Sequence, residues 1–162
     1  MPPACCCTPS WAIARRPSSS AATHRGGGSP WCNWRRTLPR PTEPQCVLIL
    51  VNSGPSTPAR CAAPFYTATL LACMDAEVTL FLSGEGAQLA RREVADSLRV
   101  IADGEPLLHF IQQAKQAGVR LLMCRAPGVL IDETALIDEL DAISSGGELA
   151  QMILEADKVL SL

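Results

Sequence analysis

The sequence predicts an α/β protein, a three-layer α/β/α sandwich built on a mainly parallel central sheet of about five strands. Short continuous apolar runs, rich in Val, Ile and Leu, recur at 46–51, 77–82, 119–124 and 158–162, as expected of strands buried beneath helices on both faces. Longer stretches with helical periodicity separate them, and the links are short and rich in Gly, Pro and Ser. Strand and helix therefore alternate, the pattern that gives parallel strands joined by right-handed crossovers.

Each element has a local reason. Cys46-Val47-Leu48-Ile49-Leu50-Val51 is apolar at every position, as a central parallel strand requires. Residues 52–58 contain Gly54, Pro55 and Pro58 and read as a loop, after which 59–74 is a helix with Ala and Leu on most faces. Glu77 opens the second strand, Ser83-Gly84-Glu85-Gly86 turns the chain, and a charged helix runs through Arg91, Arg92 and Glu93. Pro106 starts a third helix, which presents Leu107, Leu108, Phe110, Ile111 and Ala114 and stops at Gly118, directly before strand 119–124. Beyond the loop Arg125-Ala126-Pro127-Gly128, Asp132 or Thr134 caps a short helix with Leu136, Ile137 and Leu140 on its apolar face. Ser144-Ser145-Gly146-Gly147 then breaks the chain before a helix over 148–156 that shows Leu149, Met152 and Ile153, and 158–162 closes as a strand. No internal repeat is present.

The two ends of the 162-residue chain differ in composition, with the boundary near Gln45. Residues 1–45 hold eight of the thirteen prolines, all three tryptophans, and six arginines against the single acid Glu43, a net charge of +5. Residues 46–162 carry eight basic and fifteen acidic side chains, a net of −7. The first segment has no apolar stretch long enough for a secretory or membrane segment. Its Arg and Ser content superficially matches an organelle transit peptide, but its prolines and Gly26-Gly27-Gly28 oppose an amphipathic helix. With so little Leu, Ile and Val it reads as a disordered extension, and the abrupt change also fits a start codon assigned too far upstream. Residues 46–162 are the folded domain. Its acidity excludes the basic stripe that nucleic-acid binding needs.

Four of the eight cysteines (5, 6, 7 and 32) fall in the extension, leaving Cys46, Cys61, Cys73 and Cys124 in the domain. A domain of this size with an aliphatic core needs no disulfide staples, so these four read as reduced thiols in a cytoplasmic protein. No CxxC pair or zinc spacing occurs, and His24 with the extension's cysteines fits no zinc pattern. Gly84-Glu85-Gly86 lacks the third glycine of a dinucleotide loop, Leu89 standing in its place, so neither nucleotide nor metal is expected. His109, between Leu108 and Phe110, reads as a structural helix residue. Cys46 opens a strand and Cys73 closes a helix, positions where cysteine acts as a small hydrophobe.

Cys124 differs because it ends a strand and is followed at once by loop-formers. In open parallel sheets, chemistry collects beyond the carboxyl ends of the strands, and a thiol near a helix start loses its proton more easily than in free solution. Cys61 follows the loop at the carboxyl end of the first strand, on the same edge, and is a possible second thiol.

Leu50-Val51-Asn52-Ser53-Gly54-Pro55, Ala63-Pro64-Phe65-Tyr66, the run 74–82, Gly86, Gly118 to Cys124, Gly146-Gly147-Glu148-Leu149-Ala150 and Ala156 to Ser161 together resemble the DsrE/DsrF-like family. The resemblance spans essentially all of 46–162 and none of the extension. It implies a DsrE-like three-layer fold and cytoplasmic oligomers, homo- or hetero-oligomeric and often trimers or hexamers. In the family's sulfur-relay members it also implies a cysteine that carries a persulfide, which Cys124 matches by position. The Arg-Ala-Pro-Gly after Cys124 departs from the sulfur-transfer subunits and is closer to a branch labelled predicted peroxiredoxin. Arg125, which the resemblance does not supply, stands where it can favour a thiolate electrostatically.

The function expected is therefore a cytoplasmic sulfur carrier or sulfurtransferase-like protein. It works through Cys124 between sulfur donor and acceptor proteins, with no metal, organic cofactor, nucleic acid or membrane. The alternative is a non-catalytic oligomeric binding or assembly module in which Cys124 is packed. Peroxide reduction, a third reading, needs a resolving thiol, and Cys61 is the one available.

Overall fold

In a computed structural model that describes residues 44–125 and 132–162, five strands form one sheet among the described residues. They are β1 (Cys46–Val51), β2 (Glu77–Leu82), β3 (Arg120–Cys124), β4 (Ala142–Ser144) and β5 (Lys158–Ser161). Their order is β4-β3-β2-β1-β5, and every neighbouring pair is parallel. Helices α1 (Pro58–Cys73), α2 (Arg92–Ser97), α3 (Leu107–Gln116) and α4 (Gly146–Glu155) make the connections, with a 3-10 segment, Gly84–Ala90, ahead of α2. The extension read at 1–45 lies outside the described residues except for its last two, as does the stretch 126–131.

The strand order decides what covers each face. From β1 through β2 and β3 to β4 the chain steps one way across the sheet, and from β4 it returns to the far side of β1. Right-handed crossovers put the helices of the outward path on one face and the helix of the return on the other. The first face carries α1, α2 and α3, which pack on Val47, Ile49, Val51, Leu80, Leu82, Leu121 and Met123. Among the described residues the second is covered by α4 alone, where Leu149, Met152 and the C-cap Ala156 pack on Leu48, Phe81 and Leu122. Burying a side chain the size of Phe81 or Leu122 stabilises by about 1.5 to 3 kcal/mol, so one helix is enough to hold a narrow second core. β5 lies beyond its reach, with all four residues exposed.

Capping accounts for the ends of the helices. Pro58 stands in the first turn of α1, where its missing N–H costs nothing. Gly118 follows α3 at φ +90°, a left-handed conformation, and leads straight into β3. Ser145 and Glu148 form a capping box at the start of α4, each side chain accepting the other's backbone N–H.

Two expectations need correction. The charged helix after β2 is interrupted: Arg91 is extended (φ −77°, ψ 131°) because it bridges to Leu136, and α2 starts only at Arg92. The same bridge prevents the short helix read at Leu136 to Leu140. Ile137 donates its backbone N–H to Ala90 O at 2.9 Å and is buried, while Arg92 pairs with Asp138 at 2.9 Å. Asp132 does cap, but what it caps is the 3-10 turn Glu133–Ala135. The structure also adds β4, a strand assigned to none of the apolar runs. Asp141 secures its start, accepting from the Leu121 N–H at 2.7 Å and pairing with Lys115 at 2.6 Å.

Gly86 lies so close to β1 that a Cβ there would overlap the carbonyl oxygen of Val51. Gly86→Ala is therefore expected to destabilise the domain by about 1 to 3 kcal/mol, the usual cost of overpacking against backbone. A urea unfolding midpoint equal to that of the native protein would contradict this close approach.

Candidate functional site

Side chains alternate between the two faces of a strand, so the parity of each residue fixes its environment. On β3, Leu121 and Met123 enter the core beneath α1 and α3, whereas Leu122 and Cys124 face α4. Register then identifies the neighbours of Cys124. It pairs with Ser144 on β4. One residue past the Leu82 and Met123 pair, Ser83 stands beside it on the other side, and Asn52 follows past the Val51 and Leu82 pair. Asn52, Ser83, Cys124 and Ser144 thus form a row along the carboxyl rim of the sheet, above an apolar row of Leu50, Phe81 and Leu122.

The row is polar and hydrogen-bonded at both ends. Ser83 Oγ donates to Asn52 Oδ1 at 2.5 Å, and Asn52 Nδ2 donates to Ser161 Oγ at 3.3 Å. On the other flank the buried Ser144 donates through Oγ to Glu148 Oε2 at 2.7 Å, and the Ser145 N–H donates to the same oxygen at 2.7 Å. These two donors hold the Glu148 carboxyl below its ordinary 4.5, the Ser144 hydroxyl being the larger cause. Cys124 itself is half-buried. Its Sγ packs against the apolar floor and lies 3.9 Å from its own neighbour's carbonyl, Arg125 O. The α4 helix starts one residue past Ser144, after its N-cap Ser145, and its Gly146 and Gly147 N–H groups have no acceptor within the helix.

The structure places the other sequence-predicted residues as follows. Arg125 is exposed, and its backbone N–H donates to Ser144 O at 2.8 Å, which extends the β3 to β4 ladder one residue past Cys124. Cys61 is fully buried in the first turn of α1, donating to Gly54 O at 3.2 Å and Thr57 O at 3.5 Å. Burial, and then the charge of Glu85, push its thiol above the ordinary 9.0. Cys61 belongs to the core of the first face and Cys124 to that of the second, so the sheet separates them. His109 is exposed on α3, its Nε2 2.7 Å from Gln113 Nε2 and its ring edge-on to Phe110. Gly84 to Gly86 belongs to a 3-10 turn whose Glu85 accepts from the Ser56 N–H at 2.8 Å and the Ser56 hydroxyl at 2.6 Å. Cys46 lies at the amino edge of the sheet, its Sγ 3.8 Å from Glu77 Oε2.

Sequence reasoning missed Asn52, Ser83, Ser144 and Glu148 as neighbours of Cys124. The Ser145-x-x-Glu148 capping signature was readable, but the row depends on register across four strands. A hollow of about 390 Å³ on the same face, lined among others by Leu48, Thr79, Arg120 and Met152, lies toward the opposite, amino end of the strands. Among the described residues no cluster of His, Cys, Asp or Glu has the makings of a metal site, and no helix is long and apolar enough to cross a membrane.

A cysteine at a strand's carboxyl end, on the sparsely covered face of a five-stranded parallel sheet, defines a small α/β domain with a thiol at its rim. The chain belongs to the DsrE/DsrF-like family, whose model matches residues 45–162. Its fold is similar to the crystal structure of the YchN protein from E. coli, with a TM-score of 0.57 and 23% sequence identity over 73% of this chain and 99% of that one. No curated protein matches the chain significantly.

Two outcomes follow from this arrangement. Iodoacetamide applied to the native protein is expected to alkylate Cys124 and to leave Cys61 unmodified until denaturant is added, as read by peptide mass mapping. Labelling of both at similar rates would contradict the burial of Cys61. The second outcome concerns acid. Because Glu148 ionises more readily folded than unfolded, its contribution to stability is complete above about pH 4.5 and lost as the pH falls toward its lowered value. Between those limits the wild-type unfolding midpoint should fall more steeply with pH than that of Glu148→Gln.

Proposed function

We propose that this protein is a cytoplasmic sulfur carrier, a sulfurtransferase-like member of a family associated with sulfur relay, and that Cys124 carries the sulfur. The observation that supports this reading most directly is the half-buried Cys124 Sγ at the carboxyl rim, on an apolar floor and between two hydroxyls. In the first step the Cys124 thiolate attacks the outer sulfur of a donor persulfide. The Cys124 S–S bond forms as the donor's S–S bond breaks, and the donor leaves as a thiolate, so the step is an exchange with no net oxidation. In the second step an acceptor thiolate takes the outer sulfur in the same way, and Cys124 is the leaving thiolate. Neither step calls for a metal or an organic cofactor, and a reducing cytosol keeps the thiol available between rounds.

Arg125, exposed and adjacent in the chain, is proposed to favour negative charge on the sulfur during both exchanges. Cys61 serves as a second thiol in this scheme only after the β1 to α1 loop opens, because its hydrogen bonds to Gly54 and Thr57 hold it under that loop. The same separation disfavours a peroxidase cycle resolved by Cys61.

The assembly-module reading has its own support in the exposed apolar side chains of one edge: Leu154 is 87% exposed, and Val159, Leu160 and Leu162 are 36 to 42% exposed. That edge suits the homo- or hetero-oligomer, trimer or hexamer, in which the carrier is proposed to meet its donor and acceptor proteins. Incubation with a persulfide donor followed by mass analysis separates the two readings. The carrier gains one sulfur atom on the peptide containing Cys124, loses it to an added thiol, and gains none there as Cys124→Ser. An unmodified Cys124 would leave the assembly module as the function.

A further inference from the structure

The two hydroxyls that flank Cys124 are not equivalent. Ser144 donates its only proton to the ionised Glu148, a charge-assisted bond of the stronger kind, and Glu148 is fixed again by the Ser145 N–H. The Ser144 hydroxyl and the Ser145 N–H are thus already taken by the helix's own carboxylate. Any further negative charge on that flank meets the Glu148 charge. Ser83 donates to a neutral acceptor, Asn52 Oδ1, and the Asn52 amide is held in turn by Ser161. The Ser83 bond lacks charge assistance, so a full negative charge nearby competes with Asn52 for its proton. Besides Glu148, the charged groups around the row are Arg125, at the end of β3, Glu85, which follows β2 but is turned toward Ser56, and the Leu162 carboxyl, which accepts from the Asn52 backbone N–H at 3.2 Å, one strand farther from Cys124 than Ser83.

We propose that the outer sulfur of the Cys124 persulfide lies toward Ser83 and Asn52, where the Ser83 hydroxyl donates to it, and is kept from the opposite flank by Glu148. This inference rests on the carrier reading and adds to it a seat for the transferred atom. After loading, Cys124 S–S–H gives up its proton to solvent, the Ser83 hydroxyl rotates from Asn52 to the terminal S⁻, and Asn52 Oδ1 is left to water. No redox change accompanies the switch. Ser83 is a positioning residue in this scheme, because it holds the sulfur without forming or breaking a bond to it.

The test uses the full-length protein loaded with inorganic polysulfide, the added sulfur on Cys124 being verified by mass. The persulfide is then alkylated with iodoacetamide across a pH series, since the anion is the reacting form. Ser83→Ala is expected to slow the reaction about tenfold on the acid limb of its profile and to move that profile to higher pH, the effect of removing one hydrogen bond to a charged group. Ser83→Thr, which keeps the hydroxyl, restores both. Should Ser83→Ala fail to fold, as judged by its urea midpoint, Asn52→Asp sets a repelling charge at the same seat and shifts the profile the same way. Profiles that coincide for wild type and the folded variants overturn the seat while leaving the carrier intact. A wild-type Cys124 that takes up no sulfur overturns both.

Discussion

The handedness of the crossover between parallel strands is the constraint on which the rest of this structure depends. Because the chain walks outward from β1 to β4 and returns beside β1, a right-handed path leaves α4 alone among the described residues on the second face. A single ten-residue helix cannot cover five strands, and the consequence is visible at β5, where every residue stays exposed. The well-covered face is a stability device, holding Phe65, Ile111 and Leu121 at full or nearly full burial. The other face is where a reactive group can meet solvent and still rest on hydrocarbon.

Parity then assigns the cysteines. Had Cys124 been shifted by one residue along β3, it would point beneath α1 and α3 with Cys61 and be sealed. Instead it shares a face with Leu122 and Phe81 and reaches the rim, where the sheet's polar side chains begin. The hydroxyls beside it also have structural duties: Ser144 ties Glu148 to the end of β4, and Ser83 joins the ends of β1 and β2 through Asn52. The chemistry of the rim and the closure of the fold therefore draw on the same hydrogen bonds.

Much of the fold was legible in the residues themselves. β1 is a continuous apolar run and β2 is apolar at four of its six positions, and the bounds of both agree with the sequence reading residue for residue, because turn-forming residues follow each of them at once. β4 was not legible: Ala142-Ile143-Ser144 is too short to carry a period, and it is a strand only because β3 and Asp141 make it one. Leu136, Ile137 and Leu140 have helical spacing yet run extended, since pairing with Arg91 and Ala90 outweighs local preference. At the site, Cys124 was legible as the last residue of a strand followed by loop-formers. Its neighbours were not, because Asn52, Ser83 and Ser144 are 31 to 92 positions apart by number and become adjacent only through register. The separation of Cys61 from Cys124 likewise required knowing which face α1 takes.

The solitary position of α4 links access to the sulfur with the breathing of one helix. Native proteins open in cooperative pieces whose free energies range from near zero up to that of global unfolding, and a short helix with few buried neighbours belongs to the low end of that range. None of its ten residues is fully buried. Amide hydrogens of α4 should therefore exchange by local detachment while those of β1 and β2 await global unfolding. A partner that grips the outward side of α4, where Leu154 protrudes, would hold the helix down or lift it, and so close or open the way to Cys124 without touching it.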